Sequence, residues 1–323
     1  MTELVVADIG GTHARFALAR LDAGGQVAAL GEPLVLRCAD HASLEAAWAA
    51  FEAGIGRPSP RAAAIAVAGP VVGEELRFTN NDWVIRPAQL NAALGVDSHV
   101  LINDFAAVAH AVAACGPDQF RHLCGPDVPL PERGAITVLG PGTGLGVALL
   151  LRGGAGSWQV LATEASHGDF APTNAIEDAI LAYFRQRFGR VSAERVISGP
   201  GLAGIHAALD GGAVSPLDDA ALWSLALGGE DSLASAALEQ FCAALGGFAG
   251  NMALAHGAGA VVIGGGLGAR LADYLPKSGF AARFCAKGRF EAMMRSLPVK
   301  LITHPQPGLL GAAAAFARRE RSH

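Results

Sequence analysis

The chain has 323 residues, enough for two ordinary domains or one large one, and for a core that needs no disulfide or metal. Lys and Arg number 24 against 29 Asp and Glu, a formal charge of −5, which argues against the basic stripe of a general nucleic-acid binder. Only 16% of residues are charged while 51% are hydrophobic, so the chain is not of the disordered class. Leu4–Ala7 reads as a short buried strand. Arg15–Arg20 and Val27–Leu36 read as two more, joined by the turn residues Asp22, Gly24 and Gly25. A helix follows with Leu44, Trp48 and Phe51 on one face. Ala62–Ala68 is a strand that stops at Gly69-Pro70. Val100–Ile102 runs into Asn103-Asp104 and then into a helix over Phe105–Ala114. Past Cys115-Gly116-Pro117 the pattern restarts with strands at Ala135–Leu139, Gly146–Leu151 and Val160–Thr163. Helices come next: one from near Thr173, where Asn174 and Glu177 are spaced as a capping box, then Ala203–Leu209, Ala220–Leu227 and Leu233–Leu254. Strands Ala260–Ile263 and Lys300–Thr303 and a helix Leu309–Arg319 close the chain. The expectation is two α/β units built on one plan, a strand meander followed by helices and crossovers.

Mean hydropathy is +0.35. Phe241–Ala269 carries no Asp, Glu, Lys or Arg, and is longer than a spanning helix requires. Asn251, His256 and the glycines from Gly257 to Gly268 argue instead for a helix, a turn and a strand. No signal peptide is visible, and no membrane partner is expected. The five cysteines, Cys38, Cys115, Cys124, Cys242 and Cys285, include no C-x-x-C pair, so a reducing cytoplasm is the simplest setting.

Two glycine loops join strand to strand. Asp8-Ile9-Gly10-Gly11-Thr12 follows the first strand, and Gly140-Pro141-Gly142-Thr143-Gly144-Leu145-Gly146 lies in the second half. Without Cβ atoms such turns can bring backbone N–H groups against a phosphate, and Thr12 and Thr143 each add a hydroxyl. A pair of them, one in each half, points to a two-sided phosphate clamp. Asp8 can hold Mg²⁺ through water, since Mg²⁺ keeps most of its water shell. A third run, Gly264-Gly265-Gly266-Leu267-Gly268-Ala269, follows a strand and opens a helix. It fits the dinucleotide pattern in form, but no second strand ending in an acid follows, so it reads as a helix start facing a nucleotide.

Asp104 stands at the carboxyl end of a strand, where ligands of α/β sheets bind, and equally where an N-cap falls. Asn103 offers a donor and an acceptor suited to sugar hydroxyls. Glu164 and His167 lie three residues apart in a turn, without a third residue spaced to complete a zinc site. Glu194 sits near a helix start, where an acid also favours the dipole. Phosphoryl transfer to a hydroxyl needs a carboxylate to take the proton, Mg²⁺ on the phosphates and donors around the transferred group. All of these residue types are present.

The motifs Asp8-Ile9-Gly10-Gly11-Thr12-His13-Ala14-Arg15, Thr79-Asn80-Asn81-Asp82-Trp83, Ile102-Asn103-Asp104-Phe105, the Gly140–Gly146 loop, Ser192-Ala193-Glu194-Arg195 through Leu202, and Pro307-Gly308-Leu309-Leu310-Gly311-Ala312 occur in that order. In this the chain resembles the bacterial ATP-dependent glucokinases of the non-repressor type, within the hexokinase/actin-like ATPase superfamily, from about Leu4 to Ala315. The resemblance implies a two-domain actin-like ATPase (ribonuclease H-like) α/β fold with an interdomain active-site cleft. The small domain would hold residues 1–112 plus 305–323 and the large one 113–304. It implies that Asp104 is the general base for the 6-hydroxyl of glucose and that Asn103, Glu164, His167 and Glu194 bind the other hydroxyls. Asp8, Gly10, Gly11 and Thr12 with Gly142, Thr143 and Gly144 would hold the phosphates of ATP and its Mg²⁺, and Gly264, Gly265 and Gly266 would lie near the nucleoside. A cytoplasmic homodimer is implied as well. Kinases for mannose, glucosamine or fructose, and a sugar sensor without turnover, are the rival readings. The chain departs from the family at His13, where asparagine is usual, and at Ala165-Ser166, where Glu-Gly-Gly-His is usual. Because Ala and Ser adopt positive φ poorly, an altered sugar affinity or preference is expected from that turn.

Overall fold

A computed structural model describes residues 2–78 and 81–320. Thr79 and Asn80 of the second motif, and residues 321–323 of the expected small domain, lie outside the described residues. The chain forms two compact units, Met1–Gly116 with Val160–Ala162 and His304–His323, and Pro117–Gln159 with Thr163–Thr303.

The strands of the first unit are β1 (Thr2–Ile9), β2 (His13–Leu21), β3 (Val27–Leu30), β4 (Leu34–Arg37), β5 (Ala62–Val67), β6 (Leu76–Arg77), β7 (Val84–Ile85) and β8 (Ser98–Asn103). Its main sheet runs β3-β2-β1-β5-β8, with β4 also on β2, while β6 and β7 pair separately. β1 and β2 are antiparallel; β1, β5 and β8 are parallel. The single strand expected over Val27–Leu36 is in fact two. Leu30 pairs with Ala19 and Leu34 with Phe16, so four steps on one side oppose three on the other. The extra residue is accommodated at Gly31-Glu32-Pro33, where Pro33 has no N–H to give the ladder.

The period of two along the strands sorts the core. Val5, Ala7 and Ile9 of β1 join Ala63, Ile65 and Val67 of β5 in a cluster with Trp48 and Phe51 of the helix Leu44–Ile55. Leu4, Val6, Ala64 and Ala66 lie on the other face, with Leu309, Ala312 and Phe316 of the helix Pro307–Glu320. Asp8 has the parity of Leu4 and Val6, which directs it to that second face.

A second sheet is made of β9 (Phe120–Cys124), β10 (Arg133–Pro141), β11 (Leu145–Gly154), β12 (Ser157–Thr163), β13 (Ala260–Ile263) and β14 (Val299–Ile302), in the order β12-β11-β10-β13-β14-β9. The plan repeats: β10 and β11 form an antiparallel hairpin, and β10, β13 and β14 run parallel. The edge strand β9 has no counterpart in the sequence reading. The uncharged stretch Phe241–Ala269 is core, not a span. It covers the end of the helix Ser232–His256, all of β13 and most of the helix Gly265–Arg270. No described helix is long and apolar enough to cross a membrane.

Candidate active site

The first unit brings together Asp8, the Gly10–Thr12 turn and the Asn103-Asp104 pair. The turn joins β1 to β2, with the Gly10 N–H donating to His13 O at 2.9 Å. The Asp8 carboxylate meets the first turn of the helix Pro307–Glu320: a Cβ at Gly308 would stand 2.7 Å from its Oδ2. Helix N-termini favour such an anion. Arg15 Nη1 stands 3.8 Å from Oδ2. Burial pushes the Asp8 carboxyl above its usual range, and Arg15 offsets this only in part. A carboxylate so placed gains from a cation. Among the described residues, no three His, Cys, Asp or Glu side chains gather into a metal cage. As a single hard oxygen donor, Asp8 fits a Mg²⁺ ion that takes its other ligands from water and phosphates, the usual Mg²⁺ arrangement.

Asn103 and Asp104 stand where β8 becomes the helix Asp104–Ala114. Here the structure corrects the capping alternative. Asn103, not Asp104, is the N-cap; its Oδ1 accepts from Phe105 N at 2.9 Å and Ala106 N at 3.0 Å. Its Nδ2 donates to Gly69 O at 3.1 Å. The Asn103 oxygen is thus committed to the helix, so what it can offer a sugar is an N–H, not the donor–acceptor pair expected. Asp104 is the first helical residue, and its Oδ1 accepts from Phe105 N at 2.8 Å.

The second unit brings together Glu164, His167, Glu194 and the Gly142–Gly144 turn. Glu164, at the end of β12, leads into a 3₁₀ turn over Ala165–His167. Its side chain comes back to His167, Nε2 to Oε2 at 3.6 Å. Neither Ala165 nor Ser166 has positive φ, and Ser166 is buried. The backbone here is right-handed, which Ala and Ser accept, and Glu164 and His167 stay side by side. The chain beyond His167 is tied to the segment carrying Glu194. Asp169 bridges Ser192, Phe170 N–H donates to Val191 O, and Ala193 N–H donates to Gly168 O. Arg190 strengthens the tie by donating to His167 O and pairing with Asp169 at 2.8 Å. Ser192 caps the short helix Ala193–Val196. This brings Glu194 Oε1 to 4.0 Å from His167 Nδ1. Two carboxylates thus flank one imidazole, three groups able to bind a row of hydroxyls.

The other Glu194 oxygen, Oε2, accepts the Leu145 N–H at 3.0 Å, at the end of the glycine turn. Within that turn Gly142 N–H donates to Gly144 O at 2.8 Å, and Gly142 O accepts from Gly199 N–H at 2.8 Å. The amides of Gly142 and Leu145 are therefore spoken for, and the donors the turn leaves open are Thr143 and the Gly144 N–H. A cavity of about 430 Å³ is lined by both Thr143 and Glu194, with Phe184, Phe188 and Arg195 among its walls. The third glycine run does open a helix, Gly265–Arg270, after β13. Part of its composition has a local cause: Gly265 has positive φ, and a Cβ on it would stand 2.6 Å from Pro141 O.

Sequence reasoning missed Gly308, Arg190 and Asp169 as parts of the site. Gly308 lay in a quoted motif, but its meeting with Asp8 depends on the last helix returning to the first strand. Arg190 and Asp169 sit beside site residues without any pattern of their own.

This arrangement is that of the two-domain α/β fold of the actin-like ATPase class, with a glycine turn in each unit and a strand-end carboxylate. A family model described as Glucokinase matches residues 5–319. The glucokinase of Zymomonas mobilis is 59% identical over 320 residues, 98% of each chain. That of Caulobacter vibrioides is 41% identical over 325 residues, 98% of this chain and 96% of its own. The crystal structure of a glucokinase from an Antarctic psychrotroph superposes with a TM-score of 0.82 at 35% identity, over 98% of this chain and 99% of the other. The chain belongs to the glucokinase family.

Proposed function

We propose that the chain transfers the γ-phosphoryl group of Mg·ATP to the 6-hydroxyl of glucose, giving glucose 6-phosphate and ADP. Asp104 takes the hydroxyl proton as the oxygen bonds to the γ-phosphorus and the bond from that phosphorus to the β,γ-bridging oxygen breaks. Glu164, His167 and Glu194 hold the remaining hydroxyls, and Asn103 adds an N–H while fixing the helix that carries Asp104. Thr143 and Gly144 in one turn, and Gly10, Gly11 and Thr12 in the other, donate to phosphate oxygens. Gly264, Gly265 and Gly266 border the nucleoside. Mg²⁺, held by Asp8 and the phosphates, would supply charge neutralisation. The observation that carries this reading is the convergence of Glu164, His167 and Glu194 in a chain of this family. We place the reaction in the cytoplasm, a reading supported by five cysteines that include no C-x-x-C pair, and we take a homodimer as the working assembly on the family resemblance.

The test is Asp104→Ala. Loss of a general base costs about 10²- to 10⁴-fold in kcat, with the fold and glucose binding retained. A variant that folds and keeps most of its kcat removes Asp104 from this role.

A further inference from the structure

We infer that Glu194 is a shared strut: its carboxylate couples the phosphate turn to the sugar-hydroxyl cluster, which makes Gly144 a positioning residue for sugar affinity. The inference rests on the sugar-site reading above and goes beyond it in joining two sites within one unit through one side chain. Glu194 Oε2 is held by the Leu145 N–H at 3.0 Å, and Oε1 faces His167 Nδ1 at 4.0 Å. The turn is shaped to admit that carboxylate, because a Cβ at Gly144 would stand 2.5 Å from Oε2. The backbone does not ask for glycine there, since Gly144 has no positive φ. Gly142, two residues earlier in the same turn, also lacks positive φ, and a Cβ on it would meet nothing within 4 Å. For an added methyl the two positions therefore differ in one respect, the Glu194 carboxylate. An alanine at 144 is accommodated by moving the end of a flexible side chain, so the fold survives and Glu194 leaves its place beside His167. The same carboxylate holds the Leu145 N–H, so its loss also loosens the turn.

Glucose binding is measured by calorimetry without nucleotide, each variant first being checked by thermal unfolding. Gly144→Ala weakens glucose binding by about tenfold, the scale of one hydrogen bond to a charged group, while Gly142→Ala binds like the wild type. Glu194→Asp is one methylene shorter and leaves room for the new methyl. Gly144→Ala combined with Glu194→Asp therefore loses less than the two single losses together. The converse experiment leaves the turn unaltered. Glu194→Ala weakens a non-hydrolysable ATP analogue in the absence of sugar by a comparable factor, whereas His167→Ala does not. The coupling is overturned if Gly144→Ala binds glucose like the wild type, or if both glycine variants weaken it equally. It is equally overturned if the double variant shows simple additivity, or if Glu194→Ala leaves the analogue's affinity unchanged. A wild type that does not bind glucose overturns the sugar-site reading, and the coupling with it.

Discussion

At the scale of single residues, local backbone geometry decides what a departure from the family pattern means. Ala165 and Ser166 replace two glycines, and φ preference alone makes them an obstacle. In the structure they form a right-handed 3₁₀ turn that keeps Glu164 and His167 3.6 Å apart. Restoring both glycines should therefore leave the order of preferred sugars unchanged. It should lower stability by about 1 kcal/mol through the entropy of the unfolded chain. Relative kcat/KM over a sugar panel and a urea titration check the two halves, and a reordered sugar preference would refute the first. Asp8 and Asn103 teach the same lesson from the other side. Their identities were legible as polar residues at strand ends. Their states were not, because burial raises the Asp8 carboxyl and capping occupies the Asn103 oxygen.

At the scale of elements, the helices Asp104–Ala114 and Pro307–Glu320 pack so closely that a Cβ at Gly311 would run into the carbonyl of Ala107. The first of these helices begins with Asp104, and the second begins against Asp8. Gly311→Ala must push them apart. It should cost about 1–3 kcal/mol of stability, as overpacking does, and lower kcat with it. Urea unfolding and steady-state kinetics read both; a variant unchanged in both would show that the spacing of the helices does not matter. Most elements were legible because their signals are local: continuous apolar runs along β1, β5 and β10, helical spacing of Leu44, Trp48 and Phe51, and Asn174 capping its helix. Strand β9 was not, because Phe120–Cys124 alternates weakly and takes its place by pairing with β14, far along the chain. The break between β3 and β4 is set by the length of the partner strand β2, which no window on residues 27–36 contains. The close meetings at Gly144, Gly308 and Gly311 are long-range for the same reason, although their glycines stood in quoted motifs.

At the scale of the whole molecule, partly buried histidines set how stability responds to acid. His110 is pushed from its ordinary 6.5 down to about 4 by burial, with Arg318 adding to the effect. His99, His256 and His304 are lowered too, each chiefly by burial. Between pH 6.5 and about 4 the unfolded chain binds protons that the folded chain refuses, so these groups make stability fall as pH falls through that window. The His110 contribution levels off below about pH 4. Urea midpoints measured across that range should drop steadily toward the acid end, and His110→Leu should make the slope shallower. An unchanged slope would remove His110 from this role.

The central claim is sugar phosphorylation, and it has a direct measurement. Purified protein is given Mg·ATP with glucose, mannose, fructose, glucosamine or no sugar, and ADP release is followed in each. We expect rapid release with glucose and a background rate without sugar, since phosphoryl transfer requires an acceptor hydroxyl. Strong release with a different hexose and none with glucose would contradict the assignment of the substrate. Release that ignores sugar altogether, or none under any condition, would contradict the claim itself.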